Sequence, residues 1–534
     1  MKKAALDTGK IARSAGTVSV AVMCSRVLGL VREQVFAYLF GAGFTYDAFV
    51  VAFRIPNLLR DLFGEGALST AFVTVFSDYD ANRGEEAVRR LAGNVLVAVS
   101  LLLSFLILAG VWQTENIIRL MVEAGFEGIP GKMELTRLMT IIMFPFLLLV
   151  SLSSVCMGIL NTRGYFFIPS LASSFFNLGS IVVGVALSLV MPKFGHPPIV
   201  GMAFGTLAGG LLQLVGQFPA LRRAGFRFLP NLDLRDPGLH RILLLMVPAI
   251  AGLAALQLNV FINNYFASSL VQGSLSWLNY AFRLFMFPVG VFGVAIAIAA
   301  HPVMARHAAT GDFDRLRESY VSALTIAFCL TIPATVGLIM LAEPIVRIIF
   351  EHGRFDALST RQTSQALVYY ALGLFFYSSV KVTVPVFYNI NGTRYPVAGS
   401  FLAVVANVSV ILLTIGSLGH RALALSISCA MAVNFIFLFS MLSSKLKGLP
   451  LGYLFRGLIR VVGGAVVMGI WLEGLELLLP SGRFSSRLLE LLWLIFQIGS
   501  GGVVYVLILY LLKLRELHFI LDRLAERLPG IKRP

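Results

Sequence analysis

Long apolar stretches separated by short polar segments recur along the whole chain. A helix needs about 20 consecutive apolar residues to cross a hydrocarbon layer about 30 Å thick. A sliding window of that length predicts about fourteen membrane-spanning helices. The second of them is too long for one straight helix, and Pro56 and Gly64 within it predict a kink or break. The predicted spans lie near residues 14–40, 45–77, 91–112, 136–160, 168–190, 198–220, 242–267, 275–301, 318–342, 364–389, 397–416, 421–442, 457–479 and 488–512.

Several sequence features recur at a nearly constant spacing. Ala52-Phe53-Arg54-Ile55 returns as Ala281-Phe282-Arg283-Leu284, and Asn177 returns as Asn407 at almost the same distance along the chain. This spacing crosses an even number of spans, so it predicts two six-helix lobes of equal topology, related by an axis along the membrane normal. Chance similarity among apolar helices is the competing explanation. The predicted domains are 1–222 for the N-terminal lobe, 223–445 for the C-terminal lobe, and 446–534 for two additional helices and a cytoplasmic tail.

Composition agrees with an all-α polytopic membrane protein. The 534 residues are 57% hydrophobic and 13% charged, with a mean hydropathy of +0.84. Soluble domains carry about 25% charged residues. The net charge of +16 lies mostly in short loops, so we expect contacts with membrane lipids and not with nucleic acid. The predicted loops on the same side of the membrane as the N-terminus carry roughly three times as many basic residues as the loops on the other side. This bias predicts that both termini are cytoplasmic.

Seven basic residues fall inside the predicted spans. An arginine at a helix centre costs about 2.5–3.5 kcal/mol on insertion scales, so such residues are expected to face a water-filled cavity and to bind an anion. A guanidinium group suits the oxygens of phosphates and carboxylates. Nearby carboxylates, at Glu33, Asp47, Asp61 and Glu65, neutralise part of this charge. The seven basic residues are Arg26, Arg32, Arg54, Arg60, Arg137, Arg283 and Lys381.

Not every one of these residues needs a functional explanation. Arg137 lies near a helix start, where the side chain can reach the interface. Lys381 fits a contact inside a lobe as well as a functional role, and Arg54 could pair with Asp47 two turns earlier. In span 7, Asn263 could bind a cation, although amides in membrane helices more often join helices to each other.

Motifs for catalysis and nucleotide binding are missing from the sequence. It has no Walker A loop, no H-E-x-x-H and no G-x-S-x-G. We therefore expect a non-enzyme that binds no cofactor. Energy would come from the membrane potential or from a monovalent cation gradient.

Three stretches resemble the MurJ (MviN) family of lipid II flippases, within the multidrug/oligosaccharidyl-lipid/polysaccharide exporter superfamily. They are Ser25-Arg26-Val27-Leu28-Gly29-Leu30-Val31-Arg32-Glu33, then Tyr46-Asp47-Ala48-Phe49 with Phe53-Arg54-Ile55-Pro56-Asn57-Leu58-Leu59-Arg60, and Ser276-Trp277-Leu278-Asn279-Tyr280-Ala281-Phe282-Arg283-Leu284. The resemblance extends over essentially the whole chain.

The resemblance implies export of lipid II, the undecaprenyl-diphosphate-linked peptidoglycan precursor, from the inner to the outer leaflet of the bacterial cytoplasmic membrane. The mechanism would be alternating access through an arginine-lined cavity, with the two extra helices forming a groove for the lipid tail. Some relatives bind sodium through acidic residues near span 7, where this chain offers Asn263. The substrate-binding residues implied by motif match are Arg26, Arg32, Arg60 and Arg283, with Asp47 and Ser276 as further positions and Arg54 as the repeat equivalent of Arg283.

Two other functions remain open on the sequence. The chain could export another polyprenyl-linked glycan or amphiphile with the same fold. It could also be a non-transporting scaffold that binds proteins of cell-wall synthesis. A scaffold predicts that the intramembrane arginines are dispensable.

Overall fold

The computed structural model describes residues 2–64, 66–480, 484, 486–514 and 516. Every regular element in this part of the chain is a helix, as predicted. The chain divides into two compact units, Met1–Ser276 and Trp277–Pro534. The predicted nearby carboxylate Glu65 and the predicted tail beyond Glu516 lie outside the described residues.

The first unit contains twelve helices among its described residues, a π-helical turn and a short 3-10 turn at Met191–Phe194. We call Arg60–Gly64 the first π turn. The helices are α1 (Lys2–Phe40), α2 (Phe44–Leu59), α3 (Ala67–Asn82), α4 (Gly84–Trp112), α5 (Thr114–Met121), α6 (Ala124–Glu127), α7 (Lys132–Met143), α8 (Phe146–Thr162), α9 (Phe167–Val190), α10 (Ile199–Val215), α11 (Phe218–Arg223) and α12 (Pro237–Ser268).

The second unit follows a similar order of elements. Its π-helical segment, Val289–Val294, is called the second π turn. The first of its helices, α13, begins just before the boundary between the units. The helices are α13 (Ser274–Pro288), α14 (Ala295–Ala309), α15 (Phe313–Met340), α16 (Ala342–Phe350), α17 (Ala357–Ala371), α18 (Leu374–Asn389), α19 (Arg394–Leu418), α20 (His420–Lys445), α21 (Leu451–Leu478) and α22 (Arg487–Leu511).

Ten helical stretches in the described part of the chain are long and apolar enough to cross a membrane, when α7 with α8, α10 with α11, and α13 with α14 are each counted as one. The pair α17 and α18, bent by 44° at its break, brings the number to eleven when it is counted as one span. The chain is therefore a multi-pass membrane protein, while the count of fourteen stays a prediction. The second predicted span does not form one long helix, because the first π turn and Gly66 separate α2 from α3. The break predicted from Pro56 and Gly64 is thus confirmed.

The internal repeat extends to irregular features. The two π turns begin at Arg60 and Val289, which are as far apart in sequence as the repeated residues Ala52 and Ala281. Both units also place a short helix with an i,i+4 ion pair after a long span. In α5, Arg119 binds Glu115 at 2.8 Å. In α16, Arg347 binds Glu343. Repeated breaks and ion pairs are more specific evidence for an internal repeat than shared hydrophobicity is.

In the first unit, glycines allow α9 and α10 to approach closely. A Cβ atom on Gly205 would lie 2.5 Å from Gly184 Cα, and one on Gly201 would lie 2.2 Å from Ser188 N. Small residues at such contacts are typical of membrane helices, where close packing replaces the hydrophobic drive for association.

In the second unit, the last two helices pack against earlier helices of the same unit. Tyr505 of α22 donates a hydrogen bond to the Cys329 carbonyl of α15 at 2.8 Å. Arg347 of α16 also binds Glu490 of α22 at 3.3 Å. The α21 and α22 pair is therefore joined to this unit by specific polar contacts as well as by apolar packing.

The segment between α11 and α12 is bound to the start of α4. The Asn94 side chain is fully buried, and its amide donates to the Asp233 carbonyl at 2.8 Å and accepts from the Asp233 N–H at 2.9 Å. Arg241 of α12 donates to Asp78 at 2.6 Å, and this hydrogen bond holds the pKa of the Asp78 carboxyl below its usual range. The linker is thus held as a defined structure.

We expect Gly93→Ala to lower the stability of the protein by about 1–3 kcal/mol, the usual cost of overpacking. The added Cβ would lie 1.9 Å from the Leu229 carbonyl oxygen, so the linker backbone would have to move. The measurement is the thermal unfolding midpoint in detergent. Gly416→Ala in α19 is the control, because no atom lies within 4 Å of its added Cβ. Equal midpoints for the two variants would contradict the tight seating of the linker.

Candidate functional site

Arg32 lies on α1 in a nearly buried position, with 8% of its surface exposed. Its guanidinium donates to Glu33 at 2.9 Å and lies 5.2 Å from the centre of the Phe176 ring. The other Glu33 oxygen accepts from the Tyr46 hydroxyl at 2.7 Å. A buried charge is tolerated when it is paired and hydrogen-bonded. These contacts hold the guanidinium in one orientation.

Arg60 opens the first π turn and is more accessible than Arg32. Its Nε and Nη2 atoms donate to one Asp61 oxygen at 3.1 and 2.7 Å. The other Asp61 oxygen accepts from the Gln257 amide of α12 at 3.2 Å. The Arg60 side chain remains 23% exposed. Asp61 therefore orients a guanidinium group that a ligand can still reach.

Asp47, on the first turn of α2, is 1% exposed and forms four interactions. One carboxylate oxygen accepts from the Lys132 ammonium at 3.2 Å and from the Gly273 N–H at 2.8 Å. The other accepts from the N–H and the hydroxyl of Ser276, at 3.0 and 2.6 Å. We call these four residues the Asp47 latch.

The Asp47 latch joins two helix starts that are equivalent in the repeat. Asp47 and Ser276 have the same separation in sequence as Ala52 and Ala281. The Asp47 carboxylate accepts hydrogen bonds from backbone N–H groups at the start of α13. The Ser276 hydroxyl accepts a hydrogen bond from the Gly43 N–H at the start of α2, at 3.3 Å. Each helix start thus receives a side-chain oxygen from the other. The carboxylate is favourable there because a helix N-terminus carries partial positive charge.

The remaining predicted site residues lie on the same or equivalent elements. Arg26 on α1 and Arg54 on α2 are half-buried, and Arg283 on α13 is exposed in the second unit. The Asn263 amide donates to the Asn259 carbonyl at 2.8 Å. Within the described residues, no group of three or more His, Cys, Asp or Glu side chains could hold a metal ion.

Several residues that complete the site could not be recognised from the sequence. Lys132 lies just before predicted span 136–160, in a predicted loop, although it is 2% exposed. It is the ionic partner of Asp47, for which the sequence had suggested Arg54. In the sequence Glu33 stands out only as a nearby carboxylate and Tyr46 only as part of a motif, while Gln257 stands beside the amide side chains of span 7, which more often join helices than bind a cation. For Glu33 and Tyr46 the available signal was their place in the quoted motifs.

Comparison with known proteins gives a consistent result. The family model described as lipid II flippase MurJ matches residues 36–492. A probable lipid II flippase MurJ of Buchnera aphidicola subsp. Acyrthosiphon pisum is 32% identical over 507 residues, covering 94% of this chain and 98% of the relative. The corresponding Vibrio cholerae protein is 34% identical over 519 residues, with coverage of 95% and 97%.

Solved structures show the same relationship. A lipid II flippase MurJ in an inward closed conformation matches with a TM-score of 0.76 and 26% identity, covering 92% of this chain and 97% of that one. An inward-facing multidrug resistance transporter of the MATE family matches with a TM-score of 0.67 and 18% identity, covering 81% of this chain and 99% of that one, which shows a shared fold. The chain belongs to the MurJ family of lipid II flippases.

Proposed function

We propose that this protein moves lipid II from the inner to the outer leaflet of the bacterial cytoplasmic membrane by alternating access. Besides family membership, one observation carries the proposal. Among the described residues 20–64, four arginines accompany three carboxylates, and one of these, Asp47, is neutralised by Lys132. Glu33 and Asp61 then leave an excess of positive charge in this stretch. The four arginines are Arg26, Arg32, Arg54 and Arg60.

This charge excess suits the head group of the substrate. Lipid II carries a diphosphate and peptide carboxylates, which a guanidinium group can bind through two parallel hydrogen bonds. Passage of the head group along polar, arginine-bearing helices avoids the cost of placing it in hydrocarbon. The lipid tail would follow α21 and α22, whose outer faces expose Ile459, Ile470 and Val503 among other apolar residues.

The Asp47 latch supports the proposed movement. It holds the first turn of α13, and α13 also carries Arg283. Opening of the latch would free that turn and would change the position of Arg283. We propose that the latch opens and closes once in each transport cycle.

Orientation and energy belong to the same proposal. The basic loops favour a cytoplasmic location for both termini. The membrane potential is worth about 2.3 kcal/mol per charge per 100 mV, and it or a monovalent cation gradient would drive the cycle without a bound cofactor.

The function can be tested in a bacterium whose own lipid II flippase is depleted. We expect the wild-type chain to restore growth and to restore lipid II exposure on the outer leaflet. Arg26→Ala, Arg60→Ala and Arg283→Ala are each expected to fail at normal protein levels, because each removes a cationic contact for the head group. Arg137→Ala is the control, since Arg137 is exposed on α7 and is expected to lie at the interface.

Each alternative gives a different result in this experiment. Growth of all three variants at wild-type rates would favour a scaffold and would contradict substrate binding by arginines. Growth without lipid II exposure would point to a different lipid-linked glycan.

A further inference from the structure

The two π turns share a glycine at the same place. Gly64 is the last residue of the first π turn, and its repeat equivalent in the second is Gly293. In a π turn the backbone hydrogen bonds span five residues instead of four, so a change between π and α geometry shifts the register and frees a carbonyl group. Such turns often occur at functional sites.

In each unit the glycine packs directly on a serine of the neighbouring helix. A Cβ on Gly64 would lie 2.8 Å from Ser151 Oγ of α8. A Cβ on Gly293 would lie 2.6 Å from Ser378 Oγ of α18. The two serines are separated in sequence by nearly the same distance as the two glycines, so the whole contact is repeated. Only glycine allows the turn to approach the hydroxyl this closely.

Both serine hydroxyls are buried and form no hydrogen bond with the described residues. Ser151 and Ser378 are 0% exposed, and neither Oγ atom has a hydrogen-bond partner among the described residues. A serine within a helix usually donates to the carbonyl one turn earlier. Ser379, beside Ser378, does so with the Phe375 carbonyl at 2.6 Å. A buried hydroxyl without a partner is unfavourable, so its presence in both repeats calls for a physical explanation.

The second unit contains the same glycine and serine contact in a satisfied form. At the break between α17 and α18, a Cβ on Gly373 would lie 2.6 Å from Ser428 Oγ. Here the hydroxyl donates to the Tyr369 carbonyl at 2.7 Å. A serine packed on a glycine at a helix break can therefore satisfy a carbonyl of the broken helix.

We propose that Ser151 and Ser378 are reserve donors for the two π turns. When a π turn changes register during transport, the serine hydroxyl donates to the carbonyl that the change frees. In the structure described here the two hydroxyls have no partner among the described residues, so each is available to a carbonyl that a register change frees. The transport cycle in this inference rests on the proposed function, but the register change is a property of the protein alone. The serines are positioning residues, because they act on the backbone and not on substrate.

The first test compares stability with transport. Ser151→Ala and Ser378→Ala remove an unsatisfied hydroxyl, so the thermal midpoint is expected to stay equal or to rise. Lipid II export is expected to fall about fivefold, as for the loss of one hydrogen bond of ordinary strength in the other state. Ser154→Ala is the matched control, since its hydroxyl is also buried on α8 without a partner among the described residues but contacts no π-turn glycine. A lower midpoint with unchanged export would overturn the inference.

The second test uses amide hydrogen exchange in the purified protein without substrate. Ser151→Ala is expected to slow exchange about fivefold at residues 60–64 only, and Ser378→Ala at residues 289–294 only, because the alternative register becomes less populated. Unchanged exchange in both variants would refute the inference. If exchange slows as expected while the wild-type chain exports no lipid II, the result supports the role of the two serines and contradicts the proposed function.

Discussion

Asp47→Ala is expected to destabilise the protein by about 3–5 kcal/mol, the usual cost of breaking a buried ion pair. The substitution leaves the Lys132 ammonium, which is 2% exposed, without its carboxylate. It also leaves the N–H groups of Gly273 and Ser276 without their acceptor. The measurement is the thermal unfolding midpoint in detergent, together with growth of the flippase-depleted strain.

Two further variants separate the causes of this loss. Asp47→Ala combined with Lys132→Met removes the stranded charge and should recover part of the stability, as a double-mutant cycle would report. Asp61→Ala is the matched control, because Asp61 is 32% exposed and its ion pair with Arg60 is expected to contribute at most about 1 kcal/mol. If Asp61→Ala and Asp47→Ala lowered the midpoint equally, the buried latch would not be a major source of stability.

The second large effect concerns Arg32→Ala, which we expect to abolish growth of the depleted strain. The variant loses a cation that we propose binds substrate, and it removes the Arg32 ion pair from the Glu33 carboxylate, which is 2% exposed. We therefore expect a loss of stability of about 3–5 kcal/mol as well as a loss of export. Arg32→Lys keeps the positive charge but loses the planar guanidinium group with its paired N–H donors. We therefore expect it to reduce lipid II export more than it reduces stability.

A double variant distinguishes the two roles of Arg32. Arg32→Ala with Glu33→Gln leaves no stranded charge, and the Tyr46 hydroxyl can still donate to the side-chain oxygen of the new glutamine. We expect this variant to recover its thermal midpoint but not lipid II export. Recovery of both would show that Arg32 serves only to neutralise Glu33.

Much of the architecture could be predicted because a membrane imposes strong rules on sequence. Long apolar stretches predicted helices, and Pro56 with Gly64 predicted the break after α2. The type of break could not be predicted, since the close approach of Gly64 to Ser151 joins residues that are far apart in sequence. The bend of 44° between α17 and α18 likewise leaves no clear mark in average hydropathy.

The site shows a similar division. Intramembrane arginines stand out in the sequence because they are costly in lipid. Their partners do not stand out. Lys132 reaches Asp47 across 85 residues, and a lysine before an apolar helix is as ordinary as any interfacial lysine. The neighbours Glu33 and Asp61 are adjacent in sequence to Arg32 and Arg60, yet only folding decides that each adjacent pair forms a salt bridge.

The Asp47 latch also limits how similar the two repeated sequences can be. Two identical halves would have placed the same residue at positions 47 and 276, which now lie in direct contact. Two aspartates there would repel each other, and two serines would leave Lys132 without an anion. Unequal residues at this one contact place one anion opposite Lys132 and no second anion beside it, so the symmetry of the repeat has to break at this point.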